Sequence, residues 1–164
     1  MKTHIRWMIR RDLPAVLRIE SEGFEFPWDE SDFMRCLRQR NCIGMVAEWG
    51  EEVLGFMIYE MHKTRLHILD FAVAEDNRRF GVGSAMAYKL IDKLSPDRRD
   101  RIMVEVRETN LAAQLFFQAM GFRAVSVLRD FYEDSTEDAY LMQFRYSDPV
   151  APPVTKSRFS QLMG

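Results

Sequence analysis

The sequence contains little cysteine, no long apolar run and no excess of basic residues, and each shortage excludes a class of protein. Its two cysteines, Cys36 and Cys42, cannot supply a disulfide framework. Because no CxxC or Cys/His ligand spacing is present, we expect no metal site and a reducing compartment. No apolar run suits a signal peptide or a membrane span, so we expect a cytoplasmic protein without a membrane partner. The net charge of -2 argues against a nucleic-acid partner.

The composition is that of one globular domain. Hydrophobic residues make up 47% and charged residues 29% of the 164 residues, which is enough to bury a core. After Tyr146 the sequence changes to proline and polar residues. We therefore predict a domain over residues 1–146 and a proline-containing, flexible extension over residues 147–164.

The order of predicted elements indicates an α+β fold. Alternating apolar residues predict a first strand at 4–9, and Asp12 and Asp29 are the predicted N-caps of two helices. Helices are also predicted after Gly83 and from Asn110 to Met120, the latter closed by Gly121 as its C-terminal glycine. The remaining strands are predicted at 43–49, 53–61, 66–74, 101–107, 122–131 and 139–146. Because one strand–helix–strand crossover joins antiparallel hairpins, we expect a mixed, mostly antiparallel sheet of about seven strands with four helices.

The segment RRFGVG, at 78–83, lies between a predicted strand and a predicted helix. A helix start attracts phosphate, and Gly81 and Gly83 allow a bulky anion to approach the backbone. Arg78 and Arg79 add fork-shaped cationic donors. The plainer interpretation is a tight turn that needs glycine. The segment lacks the Gly-Lys-Ser/Thr of a P-loop and the third glycine of a dinucleotide fingerprint.

Together with two other segments, this loop resembles the GNAT acetyltransferase superfamily. Arg78, Gly81 and Gly83 match the pyrophosphate signature of that family, Gln/Arg-x-x-Gly-x-Gly/Ala, and EVRETNLAAQLFFQAMGF follows at 105–122. The element order over residues 4–146 is also similar. The segment FPWDESDF, at 26–33, is similar to the RimI-like branch, whose members acetylate the N-termini of ribosomal proteins.

The resemblance implies acetyl-CoA as cosubstrate, bound where central strands four and five splay apart. The backbone of Phe71, Ala72 and Val73 would pair with the pantetheine arm. Asn110 would bind the cofactor or act only as an N-cap. The pyrophosphate loop would consist of Arg78, Arg79, Phe80, Gly81, Val82, Gly83 and Ser84.

Acetyl transfer to an amine requires the neutral amine, so a base must remove a proton. A chain-terminal amine has a pKa of about 8, whereas the amine of lysine has a pKa of about 10.4. Deprotonation of an N-terminal amine therefore costs roughly 3 kcal/mol less than deprotonation of a lysine. Alternation places Glu105 on one face of its strand with Met103 and Arg107. Its plain interpretation is an ion pair with Arg107 or a solvated strand residue, whereas the resemblance implies the general base. Glu20 is a weaker candidate, with a structural hydrogen bond as the favoured role.

The sequence departs from the family at Phe117, where RimI-like enzymes carry a tyrosine as general acid. Phe117 would then lie beside the cofactor or simply in the core. A thiol leaves as thiolate with little help, since its pKa is about 8.5. Tyr132 is the candidate replacement acid, and Tyr140 is a lesser one.

The segment Phe26-Pro27-Trp28 is expected to line a groove for a peptide acceptor, or to form a hydrophobic staple at a helix start. Three functions follow. The first is transfer to the N-terminal amine of a protein or peptide, such as a ribosomal protein. The second is transfer to a small-molecule amine, and the third is acyl-CoA binding without turnover.

Overall fold

The computed structural model describes residues 2–78 and 80–147, so Arg79 and nearly all of the predicted extension lie outside the described residues. The strands are β1 His4–Trp7, β2 Cys42–Trp49, β3 Glu52–Met61, β4 Arg65–Val73, β5 Arg101–Arg107, β6 Arg123–Leu128 and β7 Ala139–Arg145. The α-helices are α1 Leu13–Gly23, α2 Glu30–Leu37, α3 Val82–Ile91 and α4 Leu111–Ala119, and short 3-10 turns occupy Arg10–Asp12 and Glu75–Asn77. None of the helices in the described ranges has the length and apolar character needed to cross a bilayer.

The strands of the described residues form one sheet in the order β1-β2-β3-β4-β5-β7-β6. Neighbouring strands are antiparallel except β4 and β5, which run parallel. The α3 segment makes the crossover between these two strands. This arrangement confirms the predicted α+β class and the mixed, mostly antiparallel sheet.

The two central strands separate halfway along their length. Pairing between β4 and β5 runs from Arg65 opposite Arg101 to Ile68 opposite Val104 and then stops, although both strands continue. At the same level the register of β3 with β4 shifts, since Ile58 is opposite Asp70 and Tyr59 is opposite Ile68. Leu69 is therefore an extra residue in β4, a bulge that increases local twist. The gap predicted between strands four and five begins at this bulge.

Both faces of the sheet are covered by helices. One core cluster packs α3 and α4 on the sheet through Met86, Leu90 and Phe117, with Val104 and Val106 of β5 beneath. The other packs α1 and α2 on the opposite face. Since the apolar residues of β5 turn toward α3 and α4, Glu105 turns toward the face of α1 and α2.

The starts of the first two helices differ in their capping. Asp29 and Asp32 exchange side chain to backbone hydrogen bonds of 2.9 Å, a capping box that confirms the predicted N-cap of α2. Asp12 occupies the N-cap position of α1, as predicted, but its side chain makes no capping hydrogen bond to that helix. Its carboxylate instead accepts from the Ile9 amide at 2.8 Å and from the Arg6 guanidinium, because the 3-10 turn has already brought Asp12 into helical conformation.

Candidate active site

The start of α3 lies beside the open gap and is shaped by two glycines. Gly81 has a φ of 81°, a left-handed conformation that favours glycine, and it precedes the first residue of the helix. A Cβ at Gly83 would lie 3.1 Å from the ring of Phe116, so close packing against α4 favours a glycine there. The first-turn amides of a helix project from its N-terminus with a partial positive charge. This helix start therefore has the properties of an anion site.

The end of β4 forms one border of the gap. Phe71, Ala72 and Val73 all follow the last pair with β5, so their strand edge is separated from that neighbour. Two polar groups at this edge have partners within the chain. The Phe71 amide donates to the Asp70 carboxylate at 2.8 Å, and Arg78 donates through Nε to the Val73 carbonyl at 3.2 Å.

Two further predicted cofactor residues have structural roles in α4. Asn110 accepts through Oδ1 from the Ala113 amide at 3.1 Å, which confirms the N-cap interpretation. Phe117 is 4% exposed and packs its ring against Phe71 and Phe122, with ring centres 5.5 and 5.0 Å apart. The core interpretation of Phe117 is therefore confirmed. Contact of either residue with a cofactor stays a prediction.

Glu105 lies in β5 just beyond the point where β4 and β5 separate. Its side chain is 18% exposed, and Oε2 lies 2.6 Å from Nε2 of His67. An ionised carboxylate can only accept, so the proton of this hydrogen bond is on the imidazole. The expected ion pair of Glu105 with Arg107 is wrong, because Arg107 contacts Asp134 and Glu137 instead.

His67 continues into a row of polar side chains across the sheet. Its Nδ1 lies 3.7 Å from Oε1 of Glu60, and the same oxygen lies 3.1 Å from Nε2 of His62. This row has no motif in the sequence, since its members come from β3, the β3–β4 turn and β4. The signal that reveals it is the register, in which Glu60 pairs with His67 and His67 pairs with Met103.

Arg107 joins two loops over the end of β5. Its guanidinium lies 3.7 Å from the ring centre of Tyr132 and 4.8 Å from that of Phe26. Ion pairs with Asp134 at 2.6 Å and Glu137 at 2.9 Å fix the guanidinium in this position. The predicted site residues Phe26 and Tyr132 are thus brought onto one side of the sheet with Glu105.

Tyr132 is half-buried, and burial raises the pKa of its hydroxyl to about 12, while the nearby charge of Arg107 acts in the opposite direction. The hydroxyl is therefore protonated at neutral pH. A protonated phenol can donate a hydrogen bond or a proton.

The Phe26-Pro27-Trp28 segment divides into two parts. The ring of Trp28 packs edge-on against Phe33 at 5.1 Å, which is the contact of a hydrophobic staple. Phe26 is 37% exposed and faces Arg107, and Pro27 is exposed beside it. The staple interpretation is therefore confirmed for Trp28, while Phe26 and Pro27 lie where an acceptor could meet them.

The segment of residues 26–28 is held in place by a buried pair of carboxyl groups, Glu20 and Asp70, through a hydrogen bond to Glu20. Glu20 accepts from the Trp28 amide at 2.9 Å, which confirms its structural role, and it is 2% exposed. Burial raises the pKa of Glu20 and raises that of Asp70 well above its ordinary value, where the Glu20 carboxylate adds to the effect. Oε1 of Glu20 and Oδ2 of Asp70 have no hydrogen-bond partner among the described residues. A proton held by Asp70, whose pKa is raised, would allow the two carboxyl groups to share a hydrogen bond.

A family model described as "Acetyltransferase (GNAT) family" matches residues 9–122. The chain is 31% identical over 133 residues to the [ribosomal protein bS18]-alanine N-acetyltransferase of Escherichia coli K12, a match covering 80% of this chain and 89% of that protein. These matches, together with the gap between β4 and β5 and the glycine-bounded start of α3, define the class of enzyme to which the chain belongs. The chain belongs to the GNAT acetyltransferase family, and it is an N-acetyltransferase by membership.

Solved structures agree with this assignment. The ribosomal-protein-S18-alanine N-acetyltransferase of E. coli superposes with a TM-score of 0.78 at 26% identity, over 92% of this chain and 99% of that chain. Ard1 from Thermoplasma volcanium gives 0.80 at 27% identity, over 90% and 100%. Arabidopsis thaliana NAA60, solved with acetyl-CoA, gives 0.76 over 88% and 99%, and at 19% identity that similarity concerns the fold.

Proposed function

We propose that this chain transfers the acetyl group of acetyl-CoA to the N-terminal α-amine of a protein or peptide, with Glu105 as general base. The observation that carries the proposal is the position of Glu105. This carboxylate is 18% exposed, begins the part of β5 that is no longer paired with β4, and lies on the side of the sheet where Arg107 contacts Phe26 and Tyr132. The similarity to the E. coli enzyme named for ribosomal protein bS18 supports a protein terminus as acceptor.

The donor half of the site is proposed at the gap. The start of α3, from Arg78 and Arg79 through Phe80 to Ser84, would hold the diphosphate, since helix amides and arginines favour phosphate oxygens. The pantetheine arm would lie along Phe71–Val73 and bring the thioester to the point where the strands part. Asn110 and Phe117 would border the arm from α4. No protein metal takes part in this scheme.

The acceptor half would deprotonate and place the amine. Glu105, directly or through a water, takes the proton from the ammonium group, and the nitrogen lone pair then attacks the thioester carbonyl. His67 holds the carboxylate in position through its 2.6 Å hydrogen bond. Phe26, Pro27 and Trp28 would line the entry for the first residues of the acceptor.

Collapse of the tetrahedral intermediate breaks the carbon–sulfur bond, and the thiolate leaves. Tyr132 is the proposed proton donor to this sulfur, since its hydroxyl is protonated at neutral pH. Phe117 cannot serve, because it has no proton to give. A thiolate is also a competent leaving group unaided, so Tyr132 is expected to contribute less than Glu105.

One experiment tests the proposal against its two alternatives. The full chain is incubated with acetyl-CoA and matched acceptors, and free CoA is followed while mass spectrometry locates the acetyl group. The acceptors are a peptide with a free α-amine and an internal lysine, the same peptide with a blocked N-terminus, and a panel of polyamines and amino acids.

Acetylation of the free α-amine, with the blocked peptide unmodified, is the expected result. Turnover of small amines alone would assign the site to small-molecule acetylation. Acetyl-CoA binding without turnover of any acceptor would leave an acyl-CoA-binding module.

A further inference from the structure

Three side chains that the proposed reaction does not require for proton removal converge beside Glu105. Glu60 comes from the end of β3, His62 from the following turn and His67 from β4. Each offers one ligand atom, and these atoms lie within 4.8 Å of one another. All three side chains are partly exposed, so an ion from solvent can reach them.

The spacing of the donor atoms suits one small cation. Ligands about 2.1 Å from a tetrahedral metal lie about 3.4 Å from each other. Here Oε1 of Glu60 lies 3.1 Å from Nε2 of His62 and 3.7 Å from Nδ1 of His67. Small side-chain rotations would therefore bring the three atoms to ligand distance, and the exposed side would leave a fourth position for water.

The donor types select the kind of ion. Two imidazoles and one carboxylate suit borderline transition metals such as Zn²⁺, whereas Mg²⁺ and Ca²⁺ prefer oxygen ligands alone. The two carboxylates of Glu60 and Glu105 lie on either side of His67 and favour a cation between them electrostatically.

The hydrogen bond of His67 prepares its other nitrogen for a metal. Since Nε2 donates its proton to Glu105 at 2.6 Å, a neutral imidazole has its lone pair on Nδ1, the atom that faces Glu60. A metal-bound histidine that donates its second N–H to a carboxylate is a recurrent arrangement, because the carboxylate fixes the tautomer and the ring orientation.

We propose that Glu60, His62 and His67 form a binding site for Zn²⁺ or a similar transition-metal dication, with Glu105 as the hydrogen-bond acceptor behind His67. This inference departs from the expectation of no metal site, because the ligands come together through the strand register and not through a sequence motif. The ion itself takes no part in acetyl transfer.

The effect on catalysis rests on the proposed function of Glu105. Binding of a dication at Nδ1 requires a rotation of the His67 ring toward Glu60, and this rotation displaces the Nε2 hydrogen bond that positions the Glu105 carboxylate. Glu105 is then held away from the position in which it meets the acceptor amine. Bound Zn²⁺ should therefore inhibit acetyl transfer.

Calorimetric titration of the chelator-treated full chain with Zn²⁺ tests the site without reference to activity. We expect one equivalent to bind, and each of H62Q, H67Q and E60Q to weaken binding by about tenfold or more. H4Q is the matched control, since His4 is exposed in β1, and it should bind as the wild type does. Circular dichroism verifies that each variant is folded.

The absence of binding heat in the wild type would overturn the proposal. So would equal affinity in H62Q and H4Q, or a sulfur-to-metal charge-transfer band with Co²⁺ that is lost in C42A, which would place the ion on a thiolate. Cys42 is the residue to exclude because it lies opposite Glu60 in the β2–β3 register.

The effect on activity is measured separately in the acetyl-transfer assay with and without chelator. Zn²⁺ should inhibit the wild type. H62Q should require about tenfold more Zn²⁺ for the same inhibition, because it lacks one of the three ligands. This variant is chosen since it keeps both Glu105 and His67. Wild-type inhibition retained in H62Q would overturn the link to Glu105. A chain that binds Zn²⁺ yet transfers no acetyl group would refute the proposed function and leave the metal site standing.

Discussion

The two borders of the gap between β4 and β5 are built from different parts of the polypeptide. At the donor border the proposed groups are backbone amides and strand edges at Phe71–Val73 and Gly81–Ser84, set by a left-handed glycine and a bulge. At the acceptor border the proposed groups are side chains. Glu105 is hydrogen-bonded to His67, and the Arg107 guanidinium lies against the rings of Phe26 and Tyr132. A backbone site tolerates changes of side chain so long as its shape persists, whereas a side-chain site depends on single atoms.

The largest effect is expected at Glu105. The E105Q variant keeps the shape of the side chain but cannot take a proton, so kcat should fall by roughly a hundredfold. The measurement is steady-state CoA release with a peptide acceptor at neutral pH. E51Q, in the exposed β2–β3 turn, is the control and should retain full activity. An unchanged kcat in E105Q would remove Glu105 from the role of base.

Ser84, the third residue of α3, tests the donor border through charge. The S84D variant should stabilise the helix start by about 0.5 kcal/mol, because a negative charge is favourable there. The same charge should repel the diphosphate and weaken acetyl-CoA binding by about tenfold. Thermal unfolding and calorimetry measure the two effects, which have opposite signs.

The neutral variant S84N is the control for S84D, since it is nearly isosteric. Acetyl-CoA affinity that is equal in S84D and S84N would contradict placement of the diphosphate at this helix start.

Phe26 and Trp28 separate acceptor binding from stability. Removal of the exposed ring in F26A should raise the KM for the peptide acceptor by about fivefold, since apolar surface at the proposed acceptor entry is lost. In W28A the staple on Phe33 is lost, so the free energy of unfolding should fall by about 2 kcal/mol. Comparison of kinetics and urea unfolding distinguishes them, and an F26A variant with unchanged KM would argue against the groove.

A pH-dependent effect on stability is expected at the buried carboxyl pair. The pKa of Asp70 is raised in the folded chain, so the folded state binds this proton more tightly than the unfolded state does. The free energy of unfolding therefore falls as the pH rises through the folded-state pKa. The D70N variant mimics the protonated form and should add about 1 kcal/mol of stability at pH ~8.

That gain should shrink toward the unfolded pKa of about 3.9. Urea unfolding of both proteins at two pH values measures it. A gain that does not depend on pH would contradict the shared proton between Asp70 and Glu20.

The fold could be predicted from the sequence because its signals are local. Alternation in β5 fixed the facing of Glu105, and a glycine-bounded helix start marked the donor border. The acceptor border could not be predicted so fully. The partner of Glu105 proved to be His67 and not Arg107, because a parallel register between β4 and β5 decides the contact and sequence spacing does not show it.

Asp12 gives the same lesson at a helix start. Its position before Pro14 is typical of an N-cap, but its carboxylate is taken by Arg6 of β1 and by the Ile9 amide. The buried pair of Glu20 and Asp70 likewise joins α1 to the bulged part of β4, although the two residues are 50 positions apart in the sequence. Contacts between distant segments, rather than local preferences, build this side of the site.

The division between the two borders is tested most directly by calorimetric titration of acetyl-CoA into the wild type, S84D and E105Q. We expect one site per chain in the wild type, the same affinity in E105Q and an affinity lower by about tenfold in S84D. No heat with the wild type, or a loss of affinity in E105Q as large as that in S84D, would contradict the proposal that the helix start binds the donor while Glu105 serves the acceptor.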